Sequence, residues 1–232
     1  FSSKGKNVTI REGRSSKTYL VEDPIAELKK LLAAYKFVAV KGLPRFCGGL
    51  VGFFGYDMVR FIEDIPDKNP DTIGVPDSVF MLTDTILIFD HVDHKIKVVS
   101  NAHVKGSASK AYDEAVKKIE RLIKLLKSRV SIDSPRLRKR TSAFKMNSNF
   151  TKSEFEDMVR AAKRHIEAGD IIQVVPSQRF SAEVSADPFQ VYRALRSINP
   201  SPYMYYLKLG DFCLVGSSPE VMVRCEDGNV EL

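Results

Sequence analysis

Hydrophobic and polar positions alternate over two short stretches near the start of the chain. NVTIREG and KTYLVED, residues 7–13 and 17–23, have the period of two that predicts β-strands, and EGRSSK predicts the turn of a hairpin. The spacing then becomes helical, with Asp23 as the N-cap and Pro24 in the first turn. The apolar stripe of this helix contains Ile25, Leu28, Leu32 and Tyr35.

Apolar runs in the following part of the chain predict further strands. FCGGLVGFFGYDMVRF contains four glycines, and glycine within a strand pattern indicates a bulge or a close approach of two backbones. VFMLTDTILIFDHVDHKIKVVSN, residues 79–101, predicts a second hairpin that turns at HVDH. A longer helix follows, with the stripe Tyr112, Val116, Ile119, Leu122, Ile123 and Leu126.

The periodicity stops at SRVSIDSPRLRKRTSAF, a stretch rich in serine and charge that contains a proline. We therefore predict a linker over residues 129–145, which separates an N-terminal region, 1–128, from a second region, 146–232.

The second region begins with the pattern of a capped helix. Thr151 and Glu154 predict a capping box, and Gly169 predicts the end of the helix. IIQVVPSQRF predicts a strand that Pro176 confines to an edge or a bulge. Asp-Pro at 187–188 predicts the start of another helix, and VMVRCEDGNVEL predicts a final hairpin that turns at EDGN.

The order of these strands and helices predicts an α+β protein with largely antiparallel sheets and packed helices. Phe1 is not an initiator methionine, FSSKGKNVTI lacks the apolar core of a signal peptide, and the return strand VEL is shorter than its partner. We therefore expect the chain to be a piece of a longer polypeptide.

Composition limits the classes of function. The chain has 232 residues, of which 44% are hydrophobic and 28% charged, and no run is apolar and long enough for a membrane span. Cys47, Cys213 and Cys225 form no CxxC motif, so we expect small core residues in a reducing, cytoplasmic compartment. Part of the formal charge of +7 lies in residues 117–140. This basic cluster could be a nucleic-acid-binding module. It lacks interleaved aromatic residues, however, and this favours a solvated helix face and linker.

Catalytic templates such as GxSxG, HExxH and a Walker glycine loop do not occur in the sequence. His91 and His94 could bind a metal weakly across a turn; the alternative is that both histidines are solvated turn residues without a ligand. Gln173 lies among β-branched residues. Either its amide is buried and needs hydrogen-bond partners, or it completes a sheet edge or a cap. Glu220 precedes the apolar run VMV. If the carboxyl group is buried there, desolvation keeps it protonated and suits it to act as an acid; the alternative is a side chain that points to water.

Five motifs follow one another in the order and spacing of a known family: GGLVGFFGYDMVRFIEDIP, VPDSVFMLTDTILIFDHV, EAGDIIQVVPSQRF, NPSPYMYYLKLGD and GSSPEVMVR. They resemble the anthranilate synthase component I family, within the wider group of chorismate-utilising enzymes. The resemblance covers almost the whole chain. A related alternative is aminodeoxychorismate synthase component I of the folate pathway, but the second motif is more similar to anthranilate synthase.

The resemblance implies a lyase of tryptophan biosynthesis. Chorismate binds with Mg²⁺ between two α/β layers, ammonia from a glutamine amidotransferase adds to the ring as the ring hydroxyl leaves, and pyruvate is eliminated to give anthranilate. In physical terms, the metal neutralises carboxylates of the substrate and an acid protonates the departing hydroxyl.

Individual residues match the family motifs. Glu220 matches the glutamate proposed as the general acid, and Gln173 stands where relatives that add water have a lysine base. Since a neutral amide cannot deprotonate water, glutamine favours ammonia as the nucleophile. The positions that match the pocket for the feedback inhibitor tryptophan are Asn199, Pro200, Ser201, Pro202, Tyr203, Met204 and, beside it, Gly216.

The chain also departs from the family pattern. Pro176 stands where leucine is usual, and the family's Leu-Leu-Glu-Ser pocket segment is not found in the sequence. The resemblance places the Mg²⁺-binding glutamates beyond Leu232. We therefore expect no metal site in this chain and little activity from the chain alone.

Overall fold

The computed structural model describes residues 1–129 and 145–232 of the protein. The chain divides into two units, Phe1–Ser131 and Ile132–Leu232. Of the linker predicted over 129–145, the part from 130 to 144 lies outside the described residues. All strand pairs among the described residues are antiparallel and occur together with helices, which confirms the α+β class.

The first unit is built around a five-stranded sheet with the order β3-β2-β1-β5-β4. Its strands are β1 (Ser2–Lys4), β2 (Asn7–Glu12), β3 (Ser15–Leu20), β4 (Gly49–Phe54) and β5 (Ser78–Thr83), with helix α1 (Pro24–Ala33) after β3 and a 3-10 helix (Tyr56–Phe61) after β4. The predicted first hairpin is confirmed as β2 and β3. The predicted N-cap is also confirmed, because the Asp23 side chain accepts a hydrogen bond from the Ile25 N–H.

Two close contacts hold the middle of this sheet together. Ser3 on β1 and Ser78 on β5 are buried, and their hydroxyl oxygens lie 2.7 Å apart. The hydrogen bond between them gives each hydroxyl group a partner away from water. A Cβ atom on Gly52 of β4 would lie 1.8 Å from the Val79 carbonyl oxygen. Gly52 is therefore required by the approach of two backbones, as the glycine-rich strand pattern predicts.

The second predicted hairpin is confirmed as β6 (Thr85–Asp90) and β7 (Lys95–Ser100), which precede helix α2 (Ala108–Lys127). Asp90 holds its turn: its carboxylate accepts the N–H groups of Asp93 and Val92 and also pairs with Lys97 at 2.8 Å. These hydrogen bonds, with the one from Asp93 first, lower the pKa of Asp90 to about 2.

The second unit contains two helices and short strands. These are β8 (Asn147–Ser148), α3 (Lys152–Glu167), β9 (Phe180–Ser181), α4 (Pro188–Ile198), β10 (Tyr203–Leu209), β11 (Phe212–Ser218), β12 (Arg224–Glu226) and β13 (Asn229–Glu231). The capping box of α3 is confirmed, with Thr151 and Glu154 bonding to each other's backbone N–H. Gly169 follows the helix at φ +80°, as predicted for a left-handed C-terminal residue.

Three expectations about this unit are wrong. Residues 171–175 form no strand, because the β-branched run finds no partner strand among the described residues. The last hairpin turns where predicted, but its first strand begins at Arg224, so VMV lies outside it. Cys225 is exposed and Cys213 is half-buried, so the expectation of a core cysteine is confirmed only for Cys47, which lies in the first unit.

Candidate functional site

The hairpin β10–β11 brings most of the candidate residues together. Its register pairs Tyr203 with Ser218 at the open end and Leu209 with Phe212 at the turn. Gly210, at φ +69°, permits the tight turn between the strands. Because the pairing runs to the open end, the segment before β10 lies beside the segment after β11.

The segment that links α4 to β10 carries two prolines and is held by side-chain hydroxyls. The N–H of Asn199 caps α4 by donating to the Leu195 carbonyl at 2.8 Å. The carbonyl of Asn199 accepts a 2.7 Å hydrogen bond from the Ser217 hydroxyl on β11. This bond ties the end of the helix to the hairpin.

Ser201 makes a second tie between the same two segments. Its hydroxyl donates to the carbonyl of Ser218 and accepts the N–H of Tyr203 at 3.3 Å. With Pro200 and Pro202 on either side, the backbone has few conformations to lose on ordering. The predicted inhibitor-binding residues from Asn199 to Met204 are therefore adjacent and held in place.

Gly216 lies opposite Tyr205 in the register of the hairpin. A Cβ atom on Gly216 would lie 2.1 Å from Cζ and 2.4 Å from the hydroxyl oxygen of the Tyr205 ring. The tyrosine ring thus rests on the glycine, which gives Gly216 a structural reason to lack a side chain beside the proline segment.

Glu220 follows the end of β11 in the Ser-Ser-Pro-Glu turn. The Ser218 hydroxyl donates to the carbonyl of Glu220 at 3.0 Å, which fixes the backbone of the turn. The side chain of Glu220 is exposed. Of the two alternatives for Glu220, the structure supports the side chain that points to water, because the following strand begins only at Arg224.

Gln173 is also exposed, in the irregular stretch that follows α3. Neither a buried amide nor the completion of a sheet edge is found, because no strand pairs with residues 171–175 among the described residues. The structure groups Glu220 with the proline segment through Ser217 and Ser218, and no hydrogen bond within the described ranges joins Gln173 to them.

An aromatic cluster supports the hairpin, and the sequence analysis did not identify it. Phe189 and Tyr192 of α4 stack at 5.8 Å, and the Phe189 ring meets Tyr206 of β10 edge-on at 5.3 Å. The Tyr206 hydroxyl lies 3.4 Å from the Cys213 sulfur. This hydrogen bond, together with desolvation, raises the pKa of Tyr206 to about 12. Spacing could have indicated the cluster, since Phe189 and Tyr192 are three apart on a helix.

Neither a metal site nor a membrane span occurs in the parts of the chain that the structure describes. No group of three or more His, Cys, Asp or Glu side chains in residues 1–129 and 145–232 could hold an ion. Over the same residues, no helix is long and apolar enough to cross a bilayer.

Comparison with known proteins gives a consistent result. The chorismate binding enzyme family matches residues 3–232. The chain is 43% identical over 97% of its length to anthranilate synthase component 1 of Acetivibrio thermocellus, covering 47% of that protein, and 43% identical over 90% to that of Aquifex aeolicus, covering 42%. It thus spans about half the length of the curated relatives it matches.

A solved structure agrees with these relatives. Anthranilate synthase component I from Streptococcus pneumoniae matches with a TM-score of 0.76 and 32% identity, over 99% of this chain and 52% of that one.

The contact between Gly216 and Tyr205 gives a first testable prediction. In Gly216→Ala the ring must leave its place, at a cost of about 1–3 kcal/mol in the free energy of unfolding. In a Tyr205→Ala background the same substitution should cost less than about 0.5 kcal/mol, because the added methyl group meets no ring. Urea unfolding of the four proteins measures this coupling, and an equal cost in both backgrounds would contradict the packing described.

Proposed function

The chain belongs to the chorismate binding enzyme family, and on this premise we propose that the protein acts as component 1 of an anthranilate synthase. The observation that carries the proposal is the similarity to proteins of that name, at 43% identity over nearly the whole chain. The match to the solved Streptococcus pneumoniae structure, with a TM-score of 0.76, supports it. The protein would then be a lyase, acting in the cytoplasm in tryptophan biosynthesis.

The proposed reaction joins chorismate and ammonia. The ammonia nitrogen forms a bond to a ring carbon, and the ring hydroxyl leaves with a proton, as water. The C–O bond to the enolpyruvyl group then breaks as the ring loses a proton, and the leaving group takes up a proton to become pyruvate, which makes the ring aromatic and gives anthranilate. The ammonia would come from glutamine through an amidotransferase partner.

Glu220 is proposed as the general acid for the departing hydroxyl. Its backbone is fixed by the Ser218 hydroxyl, and its exposed side chain is free to meet a substrate. A proton donor at this place lowers the barrier because hydroxide is a poor leaving group.

Gln173 is proposed to face the nucleophile. Its amide can donate and accept hydrogen bonds but is not a base that could deprotonate water, whereas neutral ammonia is nucleophilic enough to add without first losing a proton. This difference provides a chemical reason for addition of nitrogen rather than oxygen.

Magnesium is the cofactor implied by the family, and it would neutralise carboxylates of the substrate when bound. The described residues hold no cluster of ligands that fits the ion. We therefore derive no step through it.

Residues Asn199–Met204 and Gly216 are proposed to form part of a tryptophan pocket. The two prolines leave the backbone carbonyls preorganised for the ammonium group of the inhibitor, which reduces the entropy lost on binding. The Ser217 hydroxyl holds the Asn199 carbonyl of this segment against β11, and the Ser201 hydroxyl joins the segment to the Ser218 carbonyl of the same strand.

The first test of the function is direct. The protein at its full natural length, given chorismate, Mg²⁺ and ammonium, should form anthranilate, detected by its fluorescence. Glu220→Gln should lower kcat by about 10²–10⁴-fold, because the amide cannot supply the proton. Glu183→Gln, which changes another exposed acid, should leave kcat unchanged. Formation of aminodeoxychorismate instead, or a Glu220→Gln enzyme with full activity, would contradict the proposal.

The role of Gln173 is tested by Gln173→Lys. A lysine amine can act as a base toward water, so this variant should form a water-addition product that the unsubstituted enzyme does not form. Chromatography of the products with and without ammonium measures the change. Complete absence of that product, in a variant that still binds chorismate, would count against the proposed choice of nucleophile.

The inhibitor pocket is tested by Ser201→Ala. Loss of the hydroxyl removes two hydrogen bonds to the pocket backbone, so the tryptophan concentration that halves turnover should rise about tenfold. Ser197→Ala is the matched control, because that hydroxyl donates within α4, to the Arg193 carbonyl. An equal rise in both variants, or none in Ser201→Ala, would argue against the pocket.

A further inference from the structure

Helix α3 ends in a turn that is closed by two main-chain hydrogen bonds. The N–H of Gly169 donates to the Ile166 carbonyl at 3.1 Å, and the N–H of Asp170 donates to the His165 carbonyl at 3.0 Å. These two bonds, with the left-handed Gly169, define a Schellman motif. The motif sets the direction in which the chain leaves the helix.

A polar pair reinforces this turn. In Schellman motifs the residues at the positions of His165 and Asp170 commonly make a hydrophobic contact. Here Nδ1 of His165 lies 2.8 Å from Oδ2 of Asp170, within hydrogen-bond distance. The side chains thus close the same turn that the backbone bonds close.

The other end of the irregular stretch is also held. The Asn149 side chain accepts the N–H of Arg179 at 2.7 Å, and the Asn149 N–H donates to the Arg179 carbonyl at 3.1 Å. Next to it, the Gln178 amide donates to the Ser148 hydroxyl at 3.2 Å. These contacts extend the pairing of β8 with β9.

Between these two anchors, residues 171–177 have no regular structure. Ile172 is 96% exposed and Val175 is 79% exposed, so their side chains do not fix the path of the segment within the described structure. Ile171 and Pro176 are half-buried, and the hydrogen-bonded anchors hold the segment where it follows α3 and where it enters β9. Gln173 lies three residues beyond Asp170, the last residue of the first anchor.

We propose that Asn149 and the His165–Asp170 pair are positioning residues, which fix the segment 171–177 from its two ends and thereby place Gln173 against the incoming nucleophile. The inference rests on the proposed function, since it assigns the segment a role in the addition of ammonia. None of the three residues needs to touch the substrate.

Kinetics of the full-length protein with chorismate and ammonium test the role. Asn149→Ala and Asp170→Ala should each lower kcat/KM for ammonium about tenfold, because small misplacements of a reacting group are costly. The KM for chorismate should change less than about twofold, since the acid and the proline segment are not altered. Asn149→Asp and Asp170→Asn keep an acceptor oxygen at the same place and should restore most of the loss.

Asp157→Ala is the matched control. It removes an exposed ion pair with Arg160, at 2.6 Å, from the middle of the same helix. Its kcat/KM for ammonium should equal that of the unsubstituted enzyme. An equal loss in this control, a parallel change in the KM for chorismate, or failure of the conservative variants to restore activity would overturn the proposal.

Limited trypsin digestion provides a measurement independent of turnover. The peptide bond after Arg179 should be cut faster in Asn149→Ala than in Asn149→Asp or the unsubstituted protein, and equal rates would refute the anchor. An unsubstituted protein without anthranilate-forming activity would refute the proposed function, and with it the role of the segment. An active enzyme unaffected by the anchor substitutions would refute only the positioning role.

Discussion

The register between β10 and β11 is the constraint on which the grouping of most candidate site residues depends. It pairs Tyr203 with Ser218, so the chain before one strand and the chain after the other lie side by side. A shift of one residue would turn every side chain of a strand to the other face. The Tyr205 ring would then lose its place on Gly216, and the ties from Ser201 and Ser217 would be out of reach.

The aromatic cluster extends this constraint to α4. Phe189 and Tyr192 pack against Tyr206, which lies on the strand that the proline segment enters. The helix, the linking segment and the hairpin are therefore held at three points: the ring contacts, the Asn199 carbonyl and the Ser201 hydroxyl. Two prolines between these points limit the alternatives further, so this part of the structure is organised before any ligand binds.

Local chemistry in the sequence predicted the ends of elements well. The caps at Asp23 and Thr151 and the left-handed Gly169 are all confirmed, because each depends only on neighbours within one turn. The runs IIQVV and VMV, which are rich in β-branched residues, predicted strands that do not form, since a strand also needs a partner strand. Gln173 and Glu220 are exposed because neither of these two runs forms a strand. The pairing of β1 with β5 was not foreseen, because it joins residues more than seventy positions apart.

These successes and errors share one physical origin. Tyr203, Met204 and Gly216 lie within the ladder of β10 and β11, but the other candidate site residues lie beyond the ends of regular elements, where side-chain hydroxyls and amides hold parts of the backbone. Periodicity contains no information on such bonds, whereas residue types at fixed offsets from a helix end do. The Ser-Ser-Pro-Glu turn and the segment after Gly169 are thus better understood from their donors and acceptors than from their hydrophobicity. A chain that places reactive groups on anchored, exposed segments keeps them accessible to substrate without leaving their backbone free.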